Sequence, residues 1–216
     1  MVSYTRKLYW EDAYAKDFNA TVTRVGDGFV VLNQTLFFAE GGGQPGDTGH
    51  LKGLRVSNTK YADDERKEIA HFVEGELQKG DSVHGEIDWD RRYKLMRLHS
   101  ALHVVHFAFK ELDPKLQCTS GRIKEEKADN DYLFSEPVTA EKVAEAEARA
   151  NQVISKGGKV EVWTDEGGCR KWRLGDWVMD CGGVHVADVK EIGCARLKKG
   201  KNAGKGWRRI EVFLEG

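Results

Sequence analysis

His99 and His103 stand four residues apart, and a Cys181-Gly182-Gly183-Val184-His185 segment lies far downstream. On a helix, residues i and i+4 share one face, so both imidazoles can reach a single ion. A thiolate and a third imidazole complete a nitrogen-rich, borderline-soft shell of the kind that suits Zn²⁺. Any fold that uses these four residues together must bring the downstream segment back onto the helix face. Gly182 and Gly183 are poor helix formers, so we expect a tight turn there that enters a strand over 184–189. The plain alternative is that His99 and His103 are core histidines satisfied by hydrogen bonds.

The rest of the cluster chemistry narrows the choices. His-Ser-Ala-Leu-His has the spacing of the metallopeptidase pattern His-Glu-x-x-His, but Ser100 replaces the glutamate general base, which argues against a peptidase of that type. His106 lies seven residues beyond His99 and is a spare histidine near the same face. Cys118, Cys169 and Cys194 lack a partner at ligand spacing and are expected to be buried apolar thiols. Four protein ligands fit a closed structural zinc, whereas a catalytic zinc keeps one position open. Sequence leaves both roles standing.

Around this site the expected architecture is α+β. The first ninety residues carry short β-branched runs. Thr21–Val25 and Phe29–Leu32 are split by the hairpin signal Gly26-Asp27-Gly28, and weaker alternating pieces follow at 54–56, 69–73 and 83–87. These features predict a small N-terminal β-barrel domain over residues 1–88. The pattern turns helical from Asp90 to Leu112, with Leu95, Leu98, Leu102, Val105, Phe109 and Leu112 at three- and four-residue intervals, and Asp113-Pro114 stops it. A second helix is expected from Thr139 through Ile154, ending at Gly157-Gly158. A final hairpin joins Ile192–Lys198 to Trp207–Leu214. Residues 89–216 therefore read as an α+β zinc-binding domain.

A net charge of −1 excludes a generally basic nucleic-acid binder but not a local basic patch. Lys198, Lys199, Lys201, Lys205, Arg208 and Arg209 supply such a patch in the last hairpin, with Trp207 beside them. There is no apolar run long enough to span a bilayer, no signal peptide, and no disulfide spacing among the four cysteines. A cytoplasmic, reducing location and no membrane partner are expected.

Several segments together carry a family resemblance. They are Phe38-Ala39-Glu40-Gly41-Gly42-Gly43-Gln44-Pro45-Gly46-Asp47-Thr48-Gly49, Leu98–His103, Asp180–Val186, Glu191-Ile192-Gly193 and Gly206–Glu211. With them the chain resembles the editing half of alanyl-tRNA synthetases. More specifically, it resembles the free-standing alanyl-tRNA editing proteins of the medium-length AlaX-M type, over nearly its whole length. The two metal motifs are also similar to the serine-editing domain of threonyl-tRNA synthetases. Val184 departs from the threonine usual at that place in the synthetases.

The resemblance implies a trans-editing hydrolase that deacylates seryl- or glycyl-tRNA(Ala) and has no aminoacylation activity. A synthetase pocket shaped for a methyl group cannot exclude glycine and discriminates poorly against serine, so a second hydrolytic site is the physical remedy. It also implies one Zn²⁺ per chain on His99, His103, Cys181 and His185, and the acceptor end of mischarged tRNA(Ala) as partner. Whether the chain is a monomer or a homodimer stays open. Thr119 occupies the place of the amino-acid-sensing segment, and Asp180 is a candidate for orienting a ligating histidine. For Thr119 a strand threonine with local bonds is equally expected, and for Asp180 an exposed turn residue.

Gly42-Gly43-Gln44 spells the tripeptide with which release factors position water. Here it is expected to form a tight or mobile loop whose backbone approaches the tRNA end, or else a plain structural turn. Two competing functions remain from the sequence. One is a non-catalytic tRNA-binding module with a structural zinc, and the other is a metallohydrolase of small esters or amides.

Overall fold

The computed structural model describes residues 4–119, 121–204 and 206–215. The chain forms two compact units, one of Met1–Gly41 with Pro45–Tyr93, the other of Gly42–Gln44 with Lys94–Gly216.

In the first unit a short parallel pair joins β1 (Arg6–Lys7) to β4 (Gln34–Thr35). A closed six-stranded barrel is built from β2 (Asp17–Gly26), β3 (Phe29–Leu32), β5 (Gly49–Leu51), β6 (Leu54–Tyr61), β7 (Ile69–Val73) and β8 (Ser82–Ile87), in the order β2-β3-β7-β6-β5-β8. Alternation decides which face turns inward. In β2, Phe18, Ala20 and Val22 are buried, and in β8 Val83, Gly85 and Ile87 are buried while Ser82, His84 and Glu86 are exposed. Phe18 and Gly85 face each other across that ladder, and the Phe18 ring fills the space a side chain at 85 would need. Asp27-Gly28 makes the expected tight hairpin, with Gly28 at φ +74°. Leu32, Leu36, Phe37, Leu51 and Val56 complete the barrel core.

Asp47, just past the glycine run, forms a fully buried ion pair with Arg92. Its carboxylate also accepts the Phe38 N–H at 2.7 Å, while Arg92 donates to the Leu36 carbonyl at 2.5 Å. Arg91 donates to the Gly46 carbonyl at 2.8 Å. Two consecutive arginines thus fix the exit of the glycine-rich segment.

Helix α1 (Trp89–Leu112) begins in the first unit and continues through the second. Leu95, Met96, Leu98, Ala101, Leu102, Val104, Val105, Ala108 and Phe109 are all buried, so the helix is covered on more than one face. It stops before Asp113-Pro114, as proline restricts the residue before it, and the Asp113 carboxylate accepts both the N–H and the hydroxyl of Ser135 at 2.8 Å.

The second unit carries two sheets. The strands β9 (Gln117–Cys118), β10 (Arg122–Ile123), β11 (Ala128–Leu133), β15 (Cys194–Gly204) and β16 (Trp207–Glu215) form one, in the order β10-β11-β16-β15 with β9 also on β11. Helix α2 (Ala140–Lys156) packs on it through Val143, Ala146, Ala150 and Ile154. Thr139 caps α2 by accepting the Lys142 N–H, and Gly157 ends it at φ +78°. The other sheet is a meander of β12 (Glu161–Thr164), β13 (Arg170–Leu174) and β14 (Trp177–Asp180).

The mixed α+β architecture with its barrel matches the sequence expectation. One element differs. Residues 184–189 form no strand but run as an irregular extended segment, bridged to Lys159 at Asp188, before a 3-10 turn at Val189–Ile192. Several of its backbone donors go to side chains, and the Val189 N–H returns to backbone, at the Gly158 carbonyl. The Val184 N–H bonds Gln44 at 3.3 Å and the Val186 N–H bonds Ser100 at 3.1 Å, leaving no ladder to form.

Candidate metal centre

One helical turn on α1 places the His99 and His103 rings 4.7 Å apart, and the irregular segment after β14 returns His185 to 4.3 Å from His99 and 4.9 Å from His103. Cys181 Sγ lies 3.4 Å from His99 Nε2 and 3.2 Å from His185 Nε2. All four donor atoms fall within 4.8 Å of one another. Bonds of 2.0–2.3 Å to a central tetrahedral zinc place ligand atoms about 3.3–3.6 Å apart. The sulfur-to-nitrogen spacings are close to that range.

The chemistry of the donor set fits a cation as well. His99, His103 and His185 are buried, and the Nε2 atom of His103 has no hydrogen-bond partner. Burial pushes the His99 pKa down to about 3 and holds His103 and His185 well below the usual histidine range, so all three present neutral, lone-pair-bearing rings. Burial also pushes the Cys181 thiol up to about 11. A positive ion among these atoms is what would offset that burial and favour the thiolate.

Surrounding groups orient the ligands. The His99 Nδ1–H donates to Gln44 Oε1 at 2.8 Å, and His185 Nδ1 faces Ser100 Oγ at 3.4 Å. The amide oxygen leaves His99 Nε2 for the centre, and the Ser100 contact turns His185 so that its Nε2 faces Cys181. The His99 ring occupies the space that a Cβ at residue 183 would need, so only glycine lets the segment pass this close. Trp172 is buried edge-on to His103 at 5.0 Å, and Phe107 stacks on Trp177 at 5.1 Å. These aromatics form an apolar wall beside the imidazoles.

The remaining sequence candidates lie elsewhere. His106 is not among the four converging residues; it stacks on Tyr132 at 5.9 Å. Thr119 is exposed, and both its N–H and its hydroxyl donate to the Asp131 carbonyl. Asp180 is exposed at the end of β14 and paired with Lys171 at 2.5 Å. Gly42 and Gly43 adopt φ of +60° and +80°, and the Gly43 carbonyl accepts the Ile123 N–H at 2.8 Å.

Lys198, Lys199 and Lys201 are exposed on β15. Lys198 lies over the Phe213 ring, and Lys199 reaches the Val138 carbonyl. Arg208 is half-buried on β16, while Arg209 is engaged with the carboxylate of Asp131, which Arg122 also holds. Lys205 lies outside the described residues. Cys118 and Cys169 are exposed, against the expectation of buried thiols, and Cys194 is half-buried. Two-residue pairing leaves Cys118 at a sheet margin, and Cys169 sits in the turn before β13.

Sequence reasoning missed Ser100, Trp172 and the place of Gln44 as structural partners of the imidazoles. None of the three carries a spacing signal in the sequence.

Comparison with known proteins gives a consistent picture. Residues 173–211 match the family described as the threonyl and alanyl tRNA synthetase second additional domain, and residues 9–91 match class II (A) tRNA synthetases. The chain is 37% identical to the alanyl-tRNA editing protein AlaX-M of Pyrococcus horikoshii over the full length of both chains. It is 33% identical to the AlaX-M protein of Saccharolobus solfataricus, covering 95% of this chain and 97% of that one. An alanine–tRNA ligase of Pyrobaculum aerophilum is 37% identical over 98% of this chain, which spans 27% of the ligase.

Proposed function

The chain belongs to the family of alanyl-tRNA editing proteins of the AlaX-M type, and from that premise we propose that it deacylates mischarged tRNA(Ala) in trans, releasing serine or glycine. The single observation that carries this reading is the convergence of His99, His103, Cys181 and His185 on one buried point.

The reaction adds water to the carbonyl of the aminoacyl ester, and the ester bond breaks to give the free amino acid and the terminal ribose hydroxyl. His99, His103, Cys181 and His185 would hold Zn²⁺, which can acidify a water or polarise an oxygen. Three neutral imidazoles and one thiolate leave that centre with a net positive charge, suited to Lewis-acid chemistry. Gln44 holds the His99 ring with its proton on Nδ1, and Ser100 steadies the His185 ring through a hydroxyl that can donate or accept. The wall of Trp172 and Phe107 limits water around the imidazoles and lowers the local polarity.

On the partner side, we assign contact with the acceptor end to the exposed Lys198, Lys199 and Lys201 with Arg208. This assignment is supported by their charge and by the exposure of the three lysines. Arg209 is a weaker contributor, because Asp131 already neutralises it. Thr119 as amino-acid selector would require its hydroxyl to leave the Asp131 carbonyl. Among the described residues no helix is long and apolar enough to cross a membrane.

A second reading is favoured by one observation: four protein ligands are the number expected of a closed structural zinc. One assay separates the two. Seryl, glycyl and alanyl forms of the same tRNA(Ala) are incubated with the protein. Editing predicts rapid release of serine or glycine with alanyl-tRNA spared. No release at any protein concentration, with metal bound, selects the structural role.

A further inference from the structure

Gln44 belongs by sequence to a glycine run that invites an RNA-facing role, yet its side chain is fully buried in the second unit beside His99. Its Oε1 atom receives two donors, the His99 Nδ1–H at 2.8 Å and the Val184 N–H at 3.3 Å. Two N–H groups converging on one atom identify that atom as the oxygen and fix the orientation of the amide. The opposite end, Nε2, is buried without a partner. A buried unsatisfied amide is unusual, and such groups cluster where function sets the geometry.

The backbone that carries Gln44 is held with similar care. Gly43 sits at φ +80°, its carbonyl accepts the Ile123 N–H at 2.8 Å, and a Cβ there would collide with the Gly121 carbonyl. Bulk at 43 would push the segment off β10 and withdraw Gln44 from His99.

We propose that Gln44 is a positioning residue for the metal centre: its amide oxygen locks His99 with the proton on Nδ1 and simultaneously ties down the Val184 backbone between Cys181 and His185. One atom therefore orients a ligand on the helix and steadies the segment bearing the other two. The glycines before it serve to deliver that oxygen. The assignment rests on the metal-centre reading above, and it concerns metal binding before catalysis.

The test compares Gln44→Met, Gln44→Glu and Gly43→Ala with wild type, reading Zn²⁺ affinity by chelator competition and the visible spectrum of the Co²⁺-loaded protein. Losing a group that orients a ligand typically weakens a metal 10–100-fold. We expect that loss in Gln44→Met, which has no acceptor, and in Gly43→Ala. Gln44→Glu keeps an acceptor at the same reach and should retain wild-type affinity and spectrum, which excludes simple misfolding at this position. In the same samples, tRNA affinity measured with metal saturating should stay within twofold of wild type. Unchanged metal affinity in Gln44→Met, or metal loss in Gln44→Glu as large as in Gln44→Met, overturns the assignment. Unchanged metal affinity together with weakened tRNA binding would instead return Gln44 to an RNA-facing role. Absence of stoichiometric metal in wild type would defeat the metal reading itself, a result separable from any behaviour of the variants.

Discussion

A methyl group at residue 183 has no room, because the His99 ring already fills that space. Gly183→Ala must therefore displace either the ring or the segment that carries Cys181 and His185. We expect at least a tenfold fall in Zn²⁺ affinity by chelator competition, with far-UV circular dichroism retained. The four converging residues were legible in the sequence because helical spacing and a compact Cys-x-x-x-His segment are local signals. Gln44 and Ser100 were not legible as their partners. Each meets its histidine across a long loop, 55 and 85 residues away, and an amide or hydroxyl carries no spacing signature. A different histidine makes a second residue-scale prediction. His71 is buried in the first unit, with Nδ1 at the Val30 carbonyl and Nε2 at the Thr35 hydroxyl, and burial pushes its pKa down to about 4. The unfolded chain binds this proton near 6.5 and the folded chain only near 4, so stability is full above about pH 6.5 and declines as pH falls toward 4. The loss attributable to His71 is on the order of 3 kcal/mol. Urea denaturation of wild type and His71→Gln across that window checks it: the variant should lose a corresponding part of the slope.

At the scale of elements, helix boundaries were readable because they depend on local chemistry: Thr139 and Gly157 bound α2, and Asp113-Pro114 stops α1. Barrel strands were readable through β-branched runs and alternation, except the three-residue β5, which is too short to carry either. The segment after β14 was not, since its apolar residues Val184, Val186 and Val189 suggested a strand, while its backbone donors are captured by Gln44 and Ser100. Such capture is a tertiary event that no local propensity reports. The buried Asp47–Arg92 pair was equally hidden, although it ties Asp47 to the start of α1 within the first unit. Asp47→Ala leaves a buried guanidinium without its counter-charge and should cost about 3–5 kcal/mol. The double change Asp47→Ala with Arg92→Leu removes both charges and should recover part of that loss. Chemical denaturation of the single and double variants measures the difference, and a double variant as unstable as the sum of the singles would contradict the pairing argument.

For the whole molecule, the order of the chain explains why so much depends on one small cluster. The helix contributes two of the four residues early, and the other two arrive after three short strands, a second helix and a meander. Local patterning predicts the second helix and the first strand of the meander, not the short strands of 117–133 or the strands of 170–180, and only the folded chain shows that the four residues converge. X-ray absorption at the zinc edge of the purified, metal-replete protein tests that convergence most directly. We expect one zinc per chain with a first shell of three nitrogens near 2.0–2.1 Å and one sulfur near 2.3 Å, the sulfur lost in Cys181→Ser. A shell without sulfur, or no stoichiometric zinc at all, would contradict it.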